Sequence, residues 1–190
     1  MNAGITKDRP SKEGMALTTL VVVLATETIF FGTLMVAYLY LRNGPSGWSY
    51  QANSIYRLLI PSINTGILLV SCYTAWRAPK AIEAGNIGGL RHGLGITLLL
   101  GMLFVAGQSF EFTHSGMRPD DLTVGGVFFT LMGFHALHVL AGVIFLGLNL
   151  MRTDLGDFSK ENHVPVKVSA WFWYYVAAVW AALFTALYLI

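Results

Sequence analysis

Five apolar stretches, each long enough to cross a bilayer, constrain this chain more than any other feature. They cover roughly residues 16–41, 55–76, 92–112, 123–151 and 166–190. About 20 apolar residues span a hydrocarbon core at ~1.5 Å rise per residue. The core offers no water to the backbone, so each stretch must satisfy its own N–H and C=O groups, as a helix does. The second stretch is the weakest, because Pro61, Ser62, Asn64 and Thr65 lower its hydropathy. Turn residues separate the stretches at Asn43-Gly44-Pro45, Arg77-Ala78-Pro79, Met117-Arg118-Pro119 and Asp154–Ser159. The expected fold is all-α: a tail over residues 1–15, then one polytopic membrane domain of five helices over 16–190.

Charge supports this and sets an orientation. Only 12% of residues are charged, against about a quarter in soluble domains. The net charge of +2 is small and its cations are dispersed in short loops, which gives nucleic-acid binding no support. Lys7, Arg9, Lys12, Arg77, Lys80, Arg91, Arg152, Lys160 and Lys167 fall on one side of the five spans, and Arg42, Arg57 and Arg118 on the other. The positive-inside rule then puts the N-terminus in the cytoplasm. The first apolar run is too long for a signal-peptide core and holds a charge, so it is read as a retained span. Trp171, Trp173 and their aromatic neighbours, with Lys167 close by, are expected as an interfacial belt, and Trp48 and Tyr50 as its counterpart in an outer loop.

A few polar residues lie inside the spans. Glu27 stands near the middle of the first, ~16–21 Å from either end, where insertion scales penalise a charge by ~2.5–3.5 kcal/mol. It is either functional or a protonated carboxyl hydrogen-bonded to a neighbouring helix. Asn64, Gln108, Glu111, His135 and His138 complete the set. Gln108 and Glu111 share a face at i, i+3, as do His135 and His138. Haem ligation by the two histidines is disfavoured, because residues three apart on one helix cannot both reach one iron axially. A di-iron site is disfavoured because Glu111-Phe-Thr-His114 is the only Glu-x-x-His motif, where such sites use two. The lone Cys72 excludes an internal disulfide and any multi-thiolate metal site. A free-standing transporter lacks support, since neither inverted repeats nor broken helices are evident. What remains is polar groups pairing with one another, with lipid headgroups or with a larger partner subunit. The chain itself is expected to bind no metal or cofactor.

Several blocks resemble one family. Thr26-Glu27-Thr28-Ile29-Phe30-Phe31 is similar to the Ser-Glu-x-x-x-Phe-Phe signature of subunit III of the haem–copper oxidases. Ile63-Asn64-Thr65-Gly66-Ile67-Leu68-Leu69 resembles that family's Leu-Asn-Thr-x-x-Leu-Leu stretch, and Gly107-Gln108-Ser109-Phe110-Glu111-Phe112 its Gln-x-x-Glu-Tyr motif. Gly133-Phe134-His135-Ala136-Leu137-His138-Val139 differs at one position from Gly-Phe-His-Gly-Leu-His-Val, and Trp171-Phe172-Trp173 with Val179-Trp180 looks like the family's last helix. The blocks run in the family's order over about residues 15–190.

The resemblance implies an accessory subunit with no active site, haem or copper of its own, part of an assembly that reduces O2 to water with electrons from cytochrome c or quinol and pumps protons. Haem and copper would reside in partner subunits. Subunit I would be the main contact, with subunit II, a fourth subunit or a respiratory supercomplex as further partners. Phospholipids would lie in a cleft between helix groups, and Glu27 matches the family's carbodiimide-reactive carboxylate, associated with proton uptake. The bacterial plasma membrane is the implied location. Two alternatives stand beside it: a subunit-III-like protein of nitric oxide reductase, which shares these blocks, and a purely structural assembly and lipid scaffold. In the last helix the family's usual histidine and aspartate are replaced by Tyr174 and Ala177, and Lys167 stands four before Trp171 where glutamate is common. No role of those groups carries over to this chain.

Overall fold

The structure, a computed structural model, describes the backbone of residues 12–44, 55–114 and 124–190 and the side chains of 13–44, 58–112 and 124–190. Trp48, Tyr50, Arg118, the turn at Met117-Arg118-Pro119 and the side chains of Arg57 and His114 lie outside the described residues. Helices are α1 (Lys12–Arg42), α2 (Ile55–Glu83), α3 (Ile87–His114), α4 (Val124–Asp154) and α5 (Val164–Phe184), the last ending in one wider turn over Thr185–Leu189. All five are long and apolar enough to cross a membrane.

The largest departure from the sequence reading is at the end of α2. Arg77-Ala78-Pro79 is helix, and the chain turns seven residues beyond the expected span, after Glu83. Pro79 removes one backbone donor, yet packing outweighs that loss. Ala78 and Ile82 are buried against α3, where Gly93 lets the Ala78 backbone approach: a Cβ on Gly93 would lie 3.1 Å from the Ala78 Cβ. The stop signal is Gly85, at φ +78. Its N–H donates to the Ile82 carbonyl at 2.8 Å and the Asn86 N–H to the Ala81 carbonyl at 2.8 Å, the paired bonds of a Schellman end. Asn86 then caps α3, accepting from the Gly89 N–H at 2.8 Å. Gly156 ends α4 by the same device, within the expected Asp154–Ser159 turn.

Helices α2, α3, α4 and α5 contact one another in that order and α5 returns to α2, closing a ring; α1 lies outside it against α4 and α5. Small residues on α3 and α4 let their neighbours close in. Cavities remain between helices, one of about 360 Å³ between α2 and α3 and one of about 290 Å³ between α4 and α5.

Trp173 explains much of the closure, and its place corrects the expected interfacial belt. It is fully buried at the centre of the ring, not at an interface. Its Nε1–H donates to Ser71 Oγ at 2.9 Å, and Ser71 in turn donates to the Leu68 carbonyl at 2.6 Å. Its ring is seated on two glycines: a Cβ on Gly101 would lie 2.7 Å from Cη2, and one on Gly142 would lie 2.8 Å from Cε3. No other residue type leaves room for an indole in either place. Trp171, by contrast, is 59% exposed on the outer face.

Candidate functional site

Glu27 owes its position to a stripe along α1. Leu20, Leu24, Phe31, Leu34 and Tyr38 pack into the core at spacings of three and four, and Glu27 falls on the same line. That line faces α4, where His138 Nε2 lies 3.1 Å from Glu27 Oε2. The other ring nitrogen, Nδ1, is 2.7 Å from the Phe134 carbonyl, which can only accept, so Nδ1 carries a proton. The 3.1 Å contact then needs a second proton between Nε2 and Oε2. Either a neutral carboxyl donates to a neutral imidazole or an imidazolium donates to a carboxylate. Both forms carry the same net charge. Phe31 and Phe172 flank the imidazole, with ring centroids at 5.1 and 6.4 Å.

The remaining intramembrane polar residues separate into two groups. His135, one turn from His138, turns into the sealed core: its ring stacks on Trp180 at 5.4 Å, with Phe104 at 6.2 Å and Phe31 at 6.4 Å. Neither of its nitrogens has a hydrogen-bond partner among the described residues, nor do the amide atoms of Gln108. Asn64 is buried directly against Gly107, whose missing side chain leaves room for the carboxamide. Glu111, toward the opposite end of α3, accepts from the Tyr188 hydroxyl through Oε1. Thus the expected i, i+3 pairs do share faces, but His135 and His138 serve different surroundings.

A third cluster joins three helices at the basic end of the bundle. Lys167 Nζ on α5 lies 3.1 Å from Glu13 Oε1 on α1 and 3.2 Å from Glu83 Oε1 on α2. These contacts gather the start of α1, the end of α2 and the start of α5 at one end, as the alternating topology requires. Asn149 was not singled out from sequence, although a polar side chain within the fourth apolar stretch was signal enough. Its Nδ2 donates to Ser169 Oγ at 2.8 Å and to the Pro165 carbonyl at 3.1 Å, tying α4 to α5.

Tyr174 is half-buried and packs edge-on against Trp171; Ala177 is packed against the core. Among the described residues, no three His, Cys, Asp or Glu side chains converge as a metal site would need.

These features define a class: a multi-pass, all-helical membrane protein whose functional groups are buried carboxyl, imidazole and amide side chains. Comparison with known proteins narrows it. The family model of cytochrome c oxidase subunit III matches residues 6–190. The chain is 32% identical over 172 residues to cytochrome c oxidase subunit 3 of Synechocystis sp., covering 90% of this chain and 74% of that one. It is 34% identical over 179 residues to the Corynebacterium diphtheriae protein of that name, and 33% identical over 175 residues to a probable cytochrome c oxidase subunit 3 of Nocardia farcinica, each alignment covering 90% of this chain and 85% of the relative. The chain belongs to the cytochrome c oxidase subunit III family and is a subunit of a cytochrome oxidase complex.

Proposed function

We propose that this chain is an accessory subunit, without an active site of its own, of a proton-pumping haem–copper oxidase in a bacterial plasma membrane. Haem and copper belong to partner subunits, subunit I being the main contact, and the N-terminus lies in the cytoplasm with the basic end of the bundle. The outer face of α1 supports a partner there. Val21, Val22, Ile29 and Val36 are exposed on it, and α1 is the least covered of the five helices. Glu27 acts as a proton-holding group in concert with His138, and bound phospholipids fill the grooves of the bundle.

The observation that carries this reading is the Glu27–His138 contact, an ionisable pair at mid-membrane depth on the boundary between α1 and α4. The test is to purify the complex through a tag on this chain and compare wild type, Glu27→Gln and Glu27→Ala over many turnovers. A haem-bearing chain should copurify in all three. Faster inactivation in both variants, with unchanged initial rate, supports the proton-holding role. Retention of wild-type behaviour by Glu27→Gln would leave only a hydrogen-bonding role, and a tag that recovers no haem would refute the assembly itself.

A further inference from the structure

The cavity of about 360 Å³ between the basic-end halves of α2 and α3 combines cations, an aromatic wall and an apolar edge. Trp76, Arg77 and Lys80 line it from α2, and Asn86, His92 and Ile96 from the turn and α3. Three other cations at this end are matched: Arg91 lies 3.1 Å from Asp154, Arg152 3.2 Å from Asp157, and Lys167 bridges Glu13 and Glu83. Arg77 and Lys80 have no carboxylate partner among the described residues. The nearest acidic residue along α2, Glu83, is turned away to Lys167. Lys80 instead lays its ammonium over the Trp76 ring, 3.5 Å from the centroid, which holds the cation at the cavity wall.

One further feature points the same way. The cavity also reaches the first turn of α3, a 28-residue helix whose positive dipole end favours an anion. Among the described residues, no carboxylate lines the cavity. The polarity is graded. Arg77, Lys80 and Asn86 lie toward the helix ends, while Ile96 and the stacked Tyr73–Trp76 pair, 6.0 Å apart and both exposed, lie deeper along the apolar flank.

We propose that this cavity binds the phosphate group of an anionic phospholipid, with Arg77 and Lys80 holding the phosphate and Ile96 and Trp76 receiving the start of an acyl chain. A phosphate alone would satisfy the cations but leave the apolar edge uncovered, which favours the lipid over free phosphate. The site rests on the reading of the chain as a lipid-holding subunit and gives that role a place and a headgroup charge. It lies between adjacent helices of the ring, on the far side of the molecule from the Glu27–His138 contact with α1.

Native mass spectrometry of the assembled complex tests it, using wild type, Arg77→Gln with Lys80→Gln, Arg77→Lys, and Arg91→Gln as a control at a cation already paired. Each is titrated with phosphatidylglycerol, phosphatidylcholine or inorganic phosphate, and adducts are read on this chain after its release from the complex. Wild type, Arg77→Lys and Arg91→Gln should retain phosphatidylglycerol. The double variant should need roughly 10-fold more lipid or worse for each charge-assisted hydrogen bond removed. Phosphatidylcholine should be retained weakly, and millimolar inorganic phosphate should not displace the lipid. Equal phosphatidylglycerol retention by wild type and double variant overturns the site, and displacement by inorganic phosphate overturns the lipid assignment. The haem content of each preparation is measured separately. A chain that copurifies with haem but shows no lipid difference refutes this site and leaves the proposed subunit role standing.

Discussion

Replacing Gly101 by alanine should destabilise the bundle, although alanine is the better helix former. The new Cβ would lie 2.7 Å from Trp173 Cη2 and 3.1 Å from Val143 Cγ2, about 1 Å inside the ~3.5–4.0 Å optimum for carbon contacts. The indole cannot retreat. Its opposite edge already meets Gly142, and its Nε1 is tethered to Ser71 at 2.9 Å. Overpacking of a clamped core costs about 1–3 kcal/mol, and the upper half of that range applies here because neither neighbour is a flexible chain end. Relief of the glycine backbone returns about 1 kcal/mol. The net loss is then about 1–2 kcal/mol, or a fall in melting temperature of very roughly 3–6 °C on the scale of soluble domains this size. Gly95, earlier on α3, has nothing within 4 Å of its would-be Cβ. Gly95→Ala should therefore raise the melting temperature or leave it unchanged.

Cys72 is the only cysteine in the chain and is partly buried. Its labelling by a thiol-reactive dye after stepwise heating, resolved by subunit on a gel, reads the transition. Trp173→Phe shortens the ring that Gly101→Ala collides with, so the double variant should be destabilised by less than the sum of the two single effects. Equal shifts for Gly101→Ala and Gly95→Ala, or strict additivity with Trp173→Phe, would refute the claim that the Trp173 seat closes the ring.

Other variants probe the polar contacts. Lys167→Met removes two partly exposed ion pairs, which should cost about 1 kcal/mol in total; the effect should vanish near 1 M KCl, where the Debye length is ~3 Å. Tyr188→Phe takes the hydroxyl from Glu111 Oε1 and should cost about 1–3 kcal/mol, recovered in part by Glu111→Leu; Cys72 labelling checks both. Asn149→Leu breaks two bonds between α4 and α5 and leaves the Ser169 hydroxyl without its donor, so α5 should open first, seen as faster proteolysis within 155–163. His138→Phe removes the partner of Glu27 and should change the rate of carbodiimide labelling at Glu27; an unchanged rate would contradict the contact.

Much of this was legible in the sequence because the bilayer allows so few solutions. Five apolar runs admitted only helices, and the ordered blocks around Glu27, Asn64, Gln108 and His135 identified the family. The end of α2 was not legible. Pro79 reads as a breaker, and its tolerance depends on Ala78 fitting Gly93 of a different helix. Trp173 misled for a related reason. Aromatic clusters at span ends suit an interface, but two glycines 41 residues apart in sequence made a seat for this one in the core. The partner of Glu27 was not legible, because the sequence names no residue of the neighbouring helix to which it bonds. A histidine bonded to its own backbone through Nδ1 leaves Nε2 facing outward, and only helix packing could show that it meets α1.

The two histidines of α4 illustrate what separates structural from functional polarity here. His135 is sealed by aromatic rings from three other helices, so a change in its charge would act against the whole ring and its value lies in shape. His138 and Glu27 stand at the edge of the ring, 19% and 31% exposed, where α4 meets the one helix that packs from outside. A partner lying against α1 would cover this pair and set its dielectric. Moving the shared proton from carboxyl to imidazole changes the dipole across the α1–α4 boundary without changing net charge. A charged group on a partner could bias that position at modest cost, since no ion need enter or leave the membrane. The pair is thus placed to couple α1 to its neighbour electrostatically, whereas Asn64, Gln108 and His135 fix the packing against which that coupling works.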